Sequence, residues 1–553
     1  MTKLYTTGLA LVLLISLLRV ADARAQTSAW QAVTGHGYGE GGSVRVDAAG
    51  NEYLSGTSYD TLTFGALRAP ALTNNYGTLD VFVAKRSCCT GWQWAARATG
   101  SRFTGTSGLA IDGSGNVYVS GFFADTLTFG TTTLICPRTE PVPFVTSQPF
   151  VAKLSPTGEW LWALKLDGAY GATKTGLAVD GRGNVYVSGT FGGRVSFGAT
   201  TFTTGPGDAD VFVAQLSPAG AWQWAVRAGG YNIEYAGQGL AVDARGDVYL
   251  TGRYDSQRAT FGAFTLRRRG QSDVFVAKLS AAGTWLWAAS AGGGVRDGGT
   301  DLALAPDGSV YVTGCFQSQW AAFGDTTLTS LSGNVNLQNA FVGKLTPAGI
   351  WAWVATLGAA GSYTDGVALA VDAAGDAYVT GTFADSLVAG TIHLRTDSSN
   401  AHWTADAYVA KISAGGAWQW ALSAGSAVDD YGRGLAVAAS GEVLLTGEVR
   451  GIAATFGPLP LTRTQPTDNA VGFFLARIGF PPPPAHSLFP NPAHETAQLT
   501  GIGESAVTIY DALGRAVRGA TPCDGTAVLD VRGLAAGVYV VRAGAVVRRL
   551  VVE

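Results

Sequence analysis

Apolar residues along Gly176–Ala228 fall on alternate positions and are interrupted by short polar turns. Four pieces follow one another there: GLAVD (Gly176–Asp180), NVYVSG (Asn184–Gly189), DVFVAQLS (Asp210–Ser217) and AWQWAVRA (Ala221–Ala228). Three of the four carry an apolar residue at every second position, the period of a strand with one preferred face. Their Val, Phe, Tyr, Trp and Thr favour strands over helices. The whole phrase returns seven times, with landing glycines at Gly56, Gly121, Gly189, Gly252, Gly314, Gly381 and Gly447, 62 to 68 residues apart. A fixed period of this size predicts stacked supersecondary units. A Phe-Gly pair such as Phe197-Gly198 marks the connection between the second and third pieces.

The turns have a chemical logic. In D-x-x-G the Asp side chain accepts backbone amides ahead of it, and the Gly takes the left-handed conformation that closes a short hairpin. Asp47, Asp112, Asp180, Asp243 and Asp372 hold this place, while Ala305 and Ala438 replace it in the fifth and seventh repeats. Such tolerance argues for turn chemistry over a shared ligand site.

Paired tryptophans end the first six repeats, at Trp92/Trp94, Trp160/Trp162, Trp222/Trp224, Trp285/Trp287, Trp351/Trp353 and Trp418/Trp420. Their regular place assigns them to packing between outer strands. The seventh repeat stops at GFFLARIG (Gly472–Gly479) without such a strand. SAWQAV (Ser28–Val33) offers the missing piece: Trp30 precedes Asp47 by 17 residues, against 18 from Trp94 to Asp112. An amino-terminal strand that completes the last repeat fastens a closed ring and protects the sheet edges. The expected fold class is all-β, a seven-bladed β-propeller closed by an N-terminal strand.

These repeats resemble the bacterial β-propeller repeat family abbreviated SBBP, with a strand grammar similar to NHL-type propellers. The resemblance spans residues 26–479 and implies a fold; propellers host many functions, so it implies no particular activity.

The two ends read differently. Residues 1–25 carry Lys3, an apolar run at Leu9–Leu18 and an Ala23-Arg24-Ala25 cleavage pattern, the order of a secretory signal. No further run of about 20 apolar residues follows, so no transmembrane span is expected in the mature chain. Residues 480–486 are a proline-rich linker, stiff and extended. Residues 487–553 hold LFPNPA (Leu488–Ala493), VTIYDALGRAV (Val507–Val517), LDVRGLAAGVYVVRA (Leu529–Ala543) and a terminal VVRRLVVE. Alternating strands between Gly-containing turns predict a small Ig-like β-sandwich. The order of motifs resembles the type A carboxy-terminal sorting domain of the Bacteroidota type IX secretion system. That resemblance implies recognition at the outer membrane by the secretion machinery and its sortase, with the cargo released or joined to surface lipopolysaccharide. It places the sorting signal on Leu488, Phe489, Pro490, Asn491, Pro492, Gly514, Arg515, Gly537, Tyr539, Val551 and Val552.

Composition adds exclusions. Hydrophobic residues at 47% with 14% charged suit a strand-rich globular protein. A net charge of −3 leaves no electrostatic footprint for nucleic acid. The one basic run, Arg267–Arg269, reads as a solvated loop. Cys88, Cys89, Cys136, Cys315 and Cys523 lack metal spacing; a bridge from Cys136 to the Cys88–Cys89 pair is one option. The five histidines show no ligand spacing, and no metal or cofactor is expected.

Candidate chemistry lies on the loops from fourth to first strands, which share a face with the second-to-third connections. An aromatic stands shortly before most first strands: Tyr38, Phe103, Tyr170, Tyr235, Tyr363 and Tyr431, with Arg296-Asp297 breaking the series. Glu40, Glu234, Asp365, Asp429 and Asp430 accompany them. Such rings stack on sugar faces and such carboxylates accept hydroxyl hydrogen bonds, or each aromatic packs against the neighbouring blade as repeat consensus. A non-catalytic secreted or surface module for a polysaccharide or a protein is the leading expectation. An adhesion protein without a small ligand, or a polysaccharide hydrolase or lyase using Asp429, Asp430 or Glu234, are the alternatives.

Overall fold

The structure, a computed structural model, describes residues 29–59, 63–64, 67–68, 79–87, 91–136, 147–166, 175–334, 336–396, 404–462, 472–479, 488–489, 493–500, 506–521, 526–544 and 546–553. All regular elements among them are strands, joined in antiparallel sheets. The linker 480–486, the signal residues Ala23 and Ala25, and Cys88, Cys89 and Cys523 lie outside the described residues.

The third repeat sets the pattern. Gly176–Val179 pairs with Val185–Gly192, which pairs with Ala209–Leu216, which pairs with Trp222–Ala228. Between the second and third strands a small hairpin, Arg194–Phe197 with Thr200–Thr203, turns on Gly198 at φ 60°. The second, fourth and fifth repeats keep the same order, the fifth as Asp297–Leu304, Val310–Phe316, Asn339–Leu345 and Trp351–Leu357. The long strand Ala29–Val46 lies between Glu52–Ser58 of the first repeat and Gly472–Gly479 of the seventh.

Alternation in the sequence suggested one buried face per strand; the structure buries both faces of the middle strands. Glu52–Ser58, Gln148–Leu154 and Val443–Val449 are buried at every position. Sheets of consecutive repeats pack face to face, so the small polar positions are also covered. Their hydroxyls turn to backbone oxygens: Thr251 Oγ1 donates to Phe275 O and Thr313 Oγ1 to Phe341 O, both at 2.8 Å. One core joins the first and second repeats through Tyr53, Val83, Leu109 and Phe150. Another joins the seventh to the first through Phe473, Leu475, Val44 and Phe82.

The D-x-x-G turns close as their chemistry requires. Asp180 Oδ1 accepts the amides of Arg182 and Asn184 at 2.9 Å, and Oδ2 accepts Asn184 Nδ2 at 2.8 Å and the Tyr186 hydroxyl at 3.2 Å. Gly183 completes the turn at φ 81°. Burial raises the Asp180 pKa, but these hydrogen bonds outweigh it and hold the carboxyl below its ordinary value. In the fifth repeat Ala305 supplies no acceptor, and Tyr311 donates instead to Gly375 O at 2.7 Å.

The first five tryptophan pairs each tie two repeats together. The first ring packs on the Phe of its own hairpin, Phe129 with Trp160 at 4.7 Å and Phe197 with Trp222 at 5.0 Å. The second donates its indole N–H to a turn carbonyl of the next repeat: Trp94 to Pro156 at 2.9 Å, Trp162 to Pro218 at 3.2 Å and Trp353 to Ala414 at 3.1 Å. Trp420 Nε1 is buried without a hydrogen-bond partner. In the sequence, Gly472–Gly479 is followed by the proline run and not by a Pro-Ala-Gly motif.

The chain divides into two compact units, Ala32–Arg477 and a second comprising Met1–Gln31 with Ile478–Glu553. Within the latter, Leu488–Phe489, Thr496–Thr500 and Thr526–Asp530 form one sheet. Ala516–Ala520, Val507–Tyr510, Gly537–Ala543 and Val546–Val552 form another. Leu499, Leu529, Ile509, Val541 and Leu550 fill the core between them.

Candidate functional site

Phe103 and Tyr235 stand against the second strands of their own repeats, whereas Tyr363 also feels Cys315 of the fifth repeat and Tyr431 of the seventh. Phe103 is half exposed and its ring centre lies 5.3 Å from that of Phe122. Tyr235 stands opposite Arg253 in the ladder, whose guanidinium covers the ring at 4.2 Å. Tyr431 lies between the guanidiniums of Arg433 and Arg450, each 4.8 Å from the ring centre. Cation–π attraction of this kind holds the guanidiniums against the rings. The side chain of Tyr38 and all of Tyr170 lie outside the described residues.

Hydroxyl groups add to the constraint. Tyr363 donates to Asp365 Oδ2 at 3.2 Å and Tyr431 to Asp429 Oδ2 at 3.4 Å. Burial first, and then these carboxylates, push both phenol pKa values up. Arg433 Nε donates to Glu448 Oε1 at 2.8 Å, and Glu40 feels both Glu448 and the two arginines. The structure therefore gathers Tyr431, Asp429, Arg433, Arg450, Glu448 and Glu40 into one charged cluster.

Three of the sequence-selected carboxylates have another occupation. Glu234, Asp297 and Asp430 are buried to within about 1% of full burial. Glu234 accepts the amides of Gly230 at 3.0 Å and Ser256 at 3.2 Å. Asp297 accepts Ser318 Oγ at 2.8 Å and Gly293 N at 2.6 Å, and Asp430 accepts Arg450 N at 2.9 Å. Burial raises all three, Glu234 to about 7 and Asp430 to about 6. They hold the loops in place. Burial raises the pKa of Asp255, and the charges of Arg253, Arg268 and the exposed Arg296, next to Asp297, oppose that rise.

A partner row of acids begins the third strands: Asp80, Asp210, Asp273 and Asp406, all buried. Reading the sequence alone passes over them, because the D in DVFVAQLS looks like strand-initial solvation. The basic run is also less free than expected: Arg268 Nη1 donates to Gln271 O at 2.7 Å and to Asp255 O at 2.5 Å.

In the terminal domain Gly514 has φ 77° and closes a turn in which Arg515 pairs with Asp511 at 2.7 Å. Tyr539, nearly buried, donates to Ala535 O at 2.8 Å. Gly537 opens the strand that carries it, Leu488–Phe489 is a short strand, and Val551 and Val552 end the last one. Val551 O accepts Ala493 N at 2.8 Å. Pro490, Asn491 and Pro492 lie outside the described residues.

Among the described residues no helix is long and apolar enough to cross a membrane. A crystal structure of a protein of unknown function from Dyadobacter fermentans is similar at 9% identity and a TM-score of 0.37, covering 68% of this chain and 95% of that one. PorZ, a surface component of the type IX secretion system of Porphyromonas gingivalis, is similar at 12% identity and a TM-score of 0.29, covering 93% and 81%. An uncharacterized WD repeat-containing protein of Acanthamoeba polyphaga mimivirus is 22% identical over 369 residues, 56% of this chain but only 26% of that relative. Residues 487–553 match the family described as the secretion system C-terminal sorting domain, which implies secretion through the type IX system to the cell surface or beyond.

Proposed function

We propose that this chain is an exported, non-catalytic binding protein whose seven SBBP-type repeats close into a β-propeller and present a ligand surface on one loop face. The sorting-domain match at 487–553 carries the export half of this reading. The signal at residues 1–25, cleaved at the Ala23/Ala25 pattern, would direct the first membrane crossing, and the type IX machinery with its sortase the second, as in the Bacteroidota. Ring closure is supported by the core shared between seventh and first repeats. It is further supported by Thr446 Oγ1 donating to Gly42 O at 3.0 Å and by the place of Ala29–Val46 beside Gly472–Gly479.

The binding half rests on one observation: the loop face combines partly exposed aromatics with arginines stacked on them, at Tyr235/Arg253 and Tyr431/Arg433/Arg450. Such pairs offer a flat apolar surface flanked by hydrogen-bond donors, the recognition chemistry of a polysaccharide or of a protein surface. A hydrolase or lyase draws no support from Glu234 and Asp430, because both already accept loop amides.

The test uses the full chain. Deleting 487–553 in the native host is expected to trap the protein inside the outer membrane; unchanged secretion of the truncated chain refutes the export reading. A glycan array and a pull-down from the host surface test binding. Tyr235→Ala is expected to weaken the captured ligand while leaving the melting temperature within about 2 °C of the parent, because surface changes of this sort cost under about 0.5 kcal/mol, whereas Tyr363→Ala, at a partly buried ring, is expected to weaken binding at a larger cost in stability. Loss of stability with unchanged binding assigns these rings to packing.

A further inference from the structure

At the seam of the third and fourth repeats the loop face opens into a cleft of about 1040 Å³. Its wall is built from three connections distant in sequence, around Asp208, Arg227–Asn232 and Asp255–Arg268. This volume lies at the upper end for small-ligand sites, enough for several sugar rings. The lining is polar.

Asp210 is 6% exposed and lines the cleft, where its Oδ2 pairs with Arg227 at 3.3 Å. Asp255, on the facing connection, pairs through Oδ1 with Arg253 Nε at 3.9 Å. At the rim Tyr231 is 96% exposed, an aromatic ring standing almost wholly in solvent. Arg258, also exposed, lines the same cleft.

The ring does not belong to the repeat consensus. Tyr231 stands where the first-to-second seam has Ser101, the fourth-to-fifth Gly294 and the sixth-to-seventh Ala427. The Arg227–Asp210 pair, by contrast, recurs as Arg97–Asp80 in the first repeat and belongs to the scaffold.

We propose that this cleft is the glycan-binding site, with Tyr231 stacking on a sugar face and Arg227 and Arg258 donating to ring and hydroxyl oxygens. The inference rests on the polysaccharide form of the function proposed above and names its site. It places the site on the third-to-fourth seam rather than on the cluster around Tyr431.

The experiment is binding of the full chain to an array of plant, fungal and bacterial glycans, followed by titration calorimetry with the best oligosaccharide. Tyr231→Ala and Arg258→Ala are expected to weaken it about tenfold each, the scale of one lost stacking contact, with melting temperatures unchanged because both side chains are exposed. Ile350→Ala, an exposed residue in a turn of the fifth repeat, is expected to leave it unchanged. Binding retained in both cleft variants overturns the cleft but leaves a glycan-binding function standing. A folded chain that binds no glycan on the array overturns both. Saturable capture of a protein instead, lost with Tyr231→Ala, overturns the glycan assignment while keeping the cleft as the site.

Discussion

Glu234→Gln tests how a buried carboxylate shapes the stability of the repeat array. In the unfolded chain this carboxyl titrates near 4.5; in the fold burial pushes it up to about 7, and Asp210 adds in the same direction against its hydrogen bonds. Between those values the folded chain keeps a proton that the unfolded chain has lost. Stability is therefore fully present below about pH 4.5 and declines as pH rises to about 7. At about 1.4 kcal/mol per unit, the raised pKa corresponds to at most about 3 kcal/mol lost by pH 8. Glutamine does not titrate, so the variant lacks this slope. Its amide nitrogen must face one of two donors, Gly230 N or Ser256 N, both of which the carboxylate accepts. That mismatch costs about 1–2 kcal/mol and is felt most clearly at pH 5. Urea unfolding of both full-length proteins at pH 5, 6, 7 and 8, followed by tryptophan fluorescence, measures the difference. The expected result is a variant weaker than the parent at pH 5 that matches or exceeds it at pH 8. Parallel profiles would refute the reasoning, since Glu234 would then ionise as an ordinary surface acid.

Other perturbations follow from the same contacts. Trp162→Phe removes the indole bond to Pro218 and is expected to cost about 1 kcal/mol, whereas Trp420→Phe removes an unpartnered N–H and is expected to be neutral or slightly stabilising; equal losses in denaturant midpoints would contradict the pairing. Gly220→Ala forces a residue with a Cβ to φ 83°, with that atom 3.3 Å from Trp162, and is expected to lower stability by about 1–2 kcal/mol. Asp180→Ala leaves two amides, an Asn side chain and a tyrosine hydroxyl without their acceptor and is expected to cost about 2 kcal/mol, since water replaces part of the loss in a half-open turn. The parent chain itself is expected to melt higher at pH 5 than at pH 8, because burial raises Asp210, Asp273 and Asp430 to about 6 along with Glu234.

Much of the strand order was legible because the repeat prints it seven times. The D-x-x-G turns and the tryptophan pairs carry local signals that tertiary context leaves in place. What the pattern hid is nonlocal. The Phe-Gly pair announces a turn, but not that its hairpin pairs with the preceding repeat, as Phe129 does with Ala98 and Phe323 with Ala291. Alternation marked one apolar face, while Ser188 and Thr251 on the other face are buried as completely as their neighbours. The loop acids illustrate the same limit for the site. Glu234 and Asp430 read as ligand-facing because a sequence does not display the amides that surround them. Tyr231 and Arg258 escaped notice because they belong to different connections and to no recurring position.

The crossing of the hairpins of the second, fifth and seventh repeats onto the outer strands before them also bears on how such a chain arose. The segment that repeats in the sequence and the sheet that packs as a body are offset from one another there. A newly inserted copy would find a hairpin landing site on the outer strand before it and would offer the same site to the copy after it. Growth by whole copies thus covers outer edges at those seams, and selection on copy number would act mainly where Ala29–Val46 meets Gly472–Gly479.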